Sequence, residues 1–155
     1  MIRAILFDLG NVLVFFDAKK SSRAFSEMLG IPEEEIWKAF FISDLERSYT
    51  RGEISTDEFF RRVCAQFPEK KIEFSAFARL WNDIFTEKPD TISILQRLRG
   101  RYRLAMLSNA NVMHWEFIRG RSLFMHWFDH PIASCDVGYR KPDAEIYQIV
   151  LHRAG

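Results

Sequence analysis

Three short apolar runs in this 155-residue chain are each followed by residues able to handle a phosphoryl group. Ala4 to Leu9 ends in Asp8-Leu9-Gly10-Asn11, Tyr102 to Leu107 ends in Ser108-Asn109, and Pro131 to Cys135 is followed shortly by Lys141. A carboxylate can attack phosphorus or hold Mg²⁺, while a hydroxyl, backbone N–H groups and an ammonium match phosphate oxygens. Each residue alone has an ordinary reading: Asp and Ser-Asn as turn chemistry after a strand, Lys-Pro as a solvated helix start. Their occurrence in order at three successive strand ends points instead to one shared site.

Positioning these groups requires strands whose carboxyl ends meet on one edge. Continuous apolar runs suit strands covered on both faces of a parallel sheet, and ligands bind beyond the carboxyl ends of such strands. Helices are expected between them. Lys88-Pro89-Asp90 opens one that carries Ile92, Leu95 and Leu98 and stops at Gly100; Pro142-Asp143 opens another, with Ile146, Ile149 and Val150 on one face. The alternation predicts an α/β fold with a Rossmann-like, doubly wound core. From about Asp17 to Thr86 no strand-like run appears, and the pattern is helical: Ser21 to Leu29 closing at Gly30, a start at Pro32, a capping box at Ser55-Thr56-Asp57-Glu58, and an apolar segment from Ser75 to Phe85. The expected division is a core of residues 1–14 and 87–155 with an inserted all-helical cap at 15–86. Most of the 15 Phe fall in that cap, where they should form its own core, with some left to line a closed site.

Composition excludes other classes. A 48% apolar and 28% charged chain is neither disordered nor a membrane bundle, and a net charge of +1 lacks the basic excess of a nucleic-acid binder. The apolar run near Met1 is too short for a signal peptide, and Cys64 and Cys135 have no metal-type spacing. The expected setting is the cytosol, with reduced thiols, no membrane, no nucleic acid, and a monomer or weak dimer. His114, His126, His130 and His152 form no metal-type spacing; His126-Trp127-Phe128 reads as packing, and Asp17 as a helix N-cap or cap hinge.

Phe7-Asp8-Leu9-Gly10-Asn11-Val12-Leu13, Leu107-Ser108-Asn109 and Gly138-Tyr139-Arg140-Lys141-Pro142-Asp143 resemble the first three motifs of the haloacid dehalogenase-like hydrolase superfamily. The likeness is to members with a helical cap after the first strand, such as bacterial α-glucose-1-phosphate phosphatases and the N-terminal phosphatase domain of epoxide hydrolases; Arg51-Gly52-Glu53-Ile54-Ser55 fits that branch. The resemblance implies a Mg²⁺-dependent phosphatase acting on a small phosphorylated metabolite such as a sugar phosphate. It implies that Asp8 is the nucleophile and a Mg²⁺ ligand, and that Gly10 offers its carbonyl to the same ion. Ser108 and Asn109 would hold the phosphoryl group, and Lys141 would neutralise charge on Asp8 and the phosphate.

Two departures from the family pattern shape the expectation. Phosphatases of the superfamily usually carry a second Asp two positions after the nucleophile as general acid and base, and here that position is Gly10. Losing such a group costs on the order of 10²–10⁴ in rate, which favours esters with good leaving groups. The family pattern also continues into another strand ending in paired acids that complete the Mg²⁺ site, whereas this sequence ends at Gly155. A core truncated at that point is expected to expose a sheet edge, bind Mg²⁺ poorly and turn over slowly. The alternatives are a catalytically inactive binding or regulatory domain and a metal-free 2-haloacid dehalogenase, against which Gly10 speaks, because those enzymes usually carry an aromatic residue there.

Overall fold

The computed structural model describes residues 2–155. β1 (Ala4–Phe7) runs through a tight turn into β2 (Val14–Phe16). Five helices follow: α1 (Ala18–Leu29), α2 (Glu33–Phe41), α3 (Asp44–Thr50), α4 (Thr56–Ala65) and α5 (Phe74–Asn82). The chain returns through β3 (Phe85–Glu87), α6 (Pro89–Leu98), β4 (Arg103–Ser108), α7 (Val112–Arg121), a 3-10 turn (Leu123–Trp127), β5 (His130–Ala133), α8 (Ser134–Val137) and α9 (Ala144–Ala154).

The α/β reading holds. β1, β4 and β5 form a parallel sheet in the order β1-β4-β5, with Phe7 opposite Met106 and Ser108 opposite Ala133. Because side chains alternate across a strand, β4 feeds two cores. Leu104 and Met106 join Leu95, Trp115 and Phe124 on one face, while Ala105 and Leu107 join Ile132, Ile146 and Val150 on the other. β1 lies at the sheet edge, and its Leu6 is 46% exposed.

The helices between β2 and β3 enclose a third core built on Phe25, Phe40, Phe59, Phe77 and Trp81, all fully buried. Their rings meet at centroid distances such as 4.8 Å (Phe25–Phe40) and 5.2 Å (Phe59–Trp81), and each such pair adds about 0.5–1.5 kcal/mol beyond burial. Local signals set the helix ends. Asp17 caps α1 by accepting from the Lys20 N–H, Gly30 closes it in the left-handed conformation, and the Ser55 hydroxyl accepts from the Glu58 N–H at the start of α4. The box at Ser55 is one-sided: the Glu58 carboxylate turns to Arg61 and Arg62 instead.

Three details depart from the sequence reading. β2 and β3 pair antiparallel, Val14 with Glu87 through Phe16 with Phe85, so a two-stranded ribbon stands at the junctions where only a loop and a helix end are expected. Accordingly α5 stops at Asn82, and Phe85 belongs to a strand. The third parallel strand ends at Ala133; Ser134 and Cys135 begin a single helical turn. Among the described residues no helix is long and apolar enough to cross a membrane.

Candidate active site

The turn after β1 aims Asp8. The Leu9 carbonyl accepts from the N–H groups of Leu13 and Val14, and Asn11 adopts φ 60°, which reverses the chain within a few residues. Asp8 Oδ1 accepts from the Leu9 N–H at 2.7 Å, and Oδ2 pairs with Lys141 Nζ at 2.7 Å. The same ammonium donates to the Leu107 carbonyl at 3.3 Å, which ties it to the end of β4 beside Ser108. The loop carrying Lys141 is held by Asn109: its Nδ2 donates to the Lys141 carbonyl at 3.0 Å, and its Oδ1 accepts from the Lys141 N–H at 2.7 Å. Thus Asp8 and Lys141 are in direct contact, and Asn109 fixes the lysine through its backbone. Ser108 lines the adjoining cavity together with Gly10 and Asn109.

Gly10 lies against an aromatic ring. A Cβ added there would come within 3.2 Å of the Phe16 ring, so the place expected of a second carboxylate is bordered by Phe16 from β2. As a Mg²⁺ site the donors are hard oxygens: the Asp8 carboxylate, with its side chain 43% exposed, and the Gly10 carbonyl, which accepts no backbone hydrogen bond among the described residues. No group of three or more His, Cys, Asp and Glu gathers among the described residues. Two oxygen donors beside solvent fit an ion that keeps several of its waters.

A cavity of about 330 Å³ opens beyond these strand ends, between the sheet and the helices. Its aromatic wall runs as a stack, Trp37 on Phe41 at 5.1 Å, Phe41 on Trp81 at 4.9 Å and Trp81 on His114 at 5.1 Å. Glu46 and Arg140 also line it. Burial pushes the Glu46 carboxyl above the ordinary carboxylate range, against the Thr50 hydroxyl that donates to it and the opposing charge of Arg140. Burial drives His114 down to about 4, so the ring is neutral near pH 7. Its Nε2–H donates to the Trp81 carbonyl and its Nδ1 accepts from Asn111 Nδ2, both at 3.0 Å.

The helical segment is latched to the sheet next to this cavity. Arg51 pairs with Asp143 at 3.0 Å, and the same carboxylate oxygen accepts from the Arg140 N–H. Ser134 Oγ lies 2.7 Å from the Thr50 carbonyl and accepts from the Ala110 N–H at 3.0 Å. Trp37, Phe41, Glu46, Asn111 and His114 were not foreseeable as site residues. The one local signal is Asn111, an N-cap whose side chain accepts from the His114 N–H.

The sequence pattern of the haloacid dehalogenase-like hydrolases matches residues 2–155. The chain belongs to this family. Relatives include a D-ribitol-5-phosphate phosphatase from Bacteroides thetaiotaomicron, 26% identical over 159 residues, with 97% of this chain and 76% of that protein covered. The sesquiterpene phosphatase astK from Aspergillus oryzae is 28% identical over 152 residues, covering 96% of this chain and 72% of that one. The chain spans only 28% of another relative that is 28% identical to it. In structure it is similar to a HAD family enzyme from Bacteroides thetaiotaomicron solved with magnesium and inorganic phosphate, with a TM-score of 0.87 and 23% identity over 100% of this chain and 80% of that one. That likeness establishes the fold.

Proposed function

We propose that this haloacid dehalogenase-like hydrolase is a phosphatase that cleaves small phosphate monoesters in the cytosol through an aspartyl-phosphate on Asp8. In this reading α1–α5, within residues 15–86, serve as a cap over a core of 1–14 and 87–155. The observation that carries the proposal is the 2.7 Å contact between Asp8 Oδ2 and Lys141 Nζ at the sheet edge. Two anions must meet when a carboxylate attacks a phosphate, and a fixed cation beside both lowers that repulsion. The two free cysteines accord with a reducing compartment.

In the first step an Asp8 oxygen bonds to phosphorus while the bond from phosphorus to the alcohol oxygen breaks. The Leu9 N–H holds the other carboxylate oxygen, which orients the nucleophile. Lys141, the Ser108 hydroxyl and the Asn109 backbone N–H receive the charge on the phosphoryl oxygens. In the second step water attacks phosphorus, the Asp8–phosphorus bond breaks, and inorganic phosphate leaves with Asp8 restored. Gly10 supplies no side-chain acid, so the departing alcohol takes its proton from water, and esters of acidic alcohols react best. Mg²⁺, held by Asp8 and the Gly10 carbonyl, would neutralise charge between carboxylate and phosphate when bound.

One relative is a D-ribitol-5-phosphate phosphatase and another a sesquiterpene phosphatase, which supports phosphate esters as the substrate class and leaves the organic part open. The test is phosphate release from a panel of phosphorylated metabolites with Mg²⁺, comparing the natural chain with Asp8→Asn. The variant should lose at least about 10³-fold in kcat/KM while still binding ester. Equal turnover by the two proteins would overturn Asp8 as nucleophile, and no turnover by the natural chain on any ester would favour a binding role.

A further inference from the structure

The phosphatase reading leaves the organic group of the ester undefined, and the cavity beside the nucleophile bears on it. We propose that this cavity receives that group and selects an apolar, preferably aromatic or unsaturated hydrocarbon, moiety over a sugar or polyol. The inference rests on the functional reading above and narrows its substrate class away from the expected sugar phosphate.

Shape and lining come first. The space of about 330 Å³ is walled by the parallel stack of Trp37, Phe41 and Trp81, with Ile84 and Phe85 beside it. Phe16 stands at the end nearest the nucleophile, against Gly10, and is 41% exposed despite its size. A large ring left partly open to water at the junction of two sites gains by being covered. A flat or hydrocarbon group reaching from a phosphate on Asp8 would pass Gly10, cover Phe16 and lie along the stack.

The polar lining groups supply the second argument, because most of them are already committed to one another. Asn111 Oδ1 accepts from the His114 N–H, and Asn111 Nδ2 donates to the His114 ring. The other His114 nitrogen is used by the Trp81 carbonyl. The Thr50 hydroxyl donates to Glu46, and both polar atoms of the Asn109 side chain are bound to the Lys141 backbone. A sugar or polyol entering here would find the second Glu46 carboxyl oxygen open, with the Ser108 hydroxyl at the phosphate end, and would bury its other hydroxyls against groups already bound to one another. Each unpaired buried hydroxyl is penalised, whereas a hydrocarbon suffers no such loss. Arg140 is the lining cation that retains donors, and it lies on the loop next to Lys141, where the phosphate end of the ester would sit.

The test uses phenyl phosphates matched in leaving-group acidity: the 4-methyl, 4-ethyl and 4-propyl esters against the 4-hydroxymethyl ester. On the natural chain kcat/KM should rise by about two- to fourfold per added methylene, the factor set by burying one CH₂, and the hydroxymethyl ester should fall below the ethyl ester by at least tenfold. Phe41→Ala should flatten the methylene series. Binding without turnover is read separately on Asp8→Asn, through quenching of Trp37 and Trp81 fluorescence by 4-propylphenyl phosphate and by ribitol 5-phosphate. Saturable quenching that is tighter for the propyl ester supports the proposal even if the natural chain releases no phosphate, in which case the phosphatase reading alone falls. A flat methylene series, or ribitol 5-phosphate bound as tightly as the propyl ester, overturns the apolar assignment while phosphate release keeps the phosphatase reading intact.

Discussion

Gly52 sets its bare Cα against the Cys135 carbonyl so closely that an added Cβ would lie 2.3 Å from that oxygen. Its φ of +70° is also one that L side chains rarely adopt. The obstacle is backbone on the first turn of α8, where no flexible side chain can yield. Gly52→Ala must therefore strain the left-handed residue, costing about 1–2 kcal/mol, and also push the end of α3 away from α8. The expected total is about 3 kcal/mol or more by urea denaturation, with activity falling alongside because Glu46 and Thr50 move with α3. Stability within about 0.5 kcal/mol of the natural chain would mean that the contact is not maintained in solution.

The ends of β1 and β4 were legible because their apolar runs close on Asp8 and on Ser108-Asn109, whereas β5 (His130–Ala133) is short and mixed, and Lys141 reaches Asp8 only through the loop beyond α8. Gly30, Asp17 and Ser55 were legible for a similar reason: capping is local chemistry. The β2–β3 ribbon was not, since each strand has three residues and its partner lies some seventy positions away. The cavity wall was hidden for a different cause. Phe40 and Phe41 are adjacent and chemically identical, yet one is fully buried in the helical core and the other lines the cavity, and only the packing of α2 against α1 and α5 separates them. Arg51 and Gly52 stood out by resemblance alone; their physical reasons, an ion pair to Asp143 and a backbone contact at Cys135, join segments more than eighty residues apart.

Asp143 connects the helical segment, through Arg51, to the loop that carries Lys141. Its carboxylate, on the residue immediately before α9, accepts from Arg51 and from the Arg140 N–H and so holds the loop. The ion pair is partly exposed, so Asp143→Asn should cost no more than about 1 kcal/mol of stability. Its effect on rate should be larger, on the order of tenfold in kcat, because Lys141 sits on the same short loop and small misplacements of a positioned charge are costly. Arg51→Ala should give a similar loss, and the double variant no further loss, since both act through one contact. Additive losses in that double-mutant cycle would separate Arg51 from the lysine loop.

His114 makes acid stability a direct readout of the cavity wall. Packing against Trp81 and Phe85 lowers its pKa from 6.5 to about 4, so the folded protein holds the ring neutral while the unfolded chain protonates it. A depressed folded pKa means that the unfolded state binds more protons below pH 6.5. Its contribution is fully present above that pH and is lost progressively down to about pH 4, amounting to roughly 3 kcal/mol across the window. His114→Gln keeps a donor for the Trp81 carbonyl and an acceptor for Asn111 but does not titrate. Between pH 6.5 and 4.5, above most carboxylate titrations, the variant should show a flatter stability curve than the natural chain by urea denaturation. Parallel curves over that interval would show that the imidazole titrates normally in the folded protein and that the wall admits water.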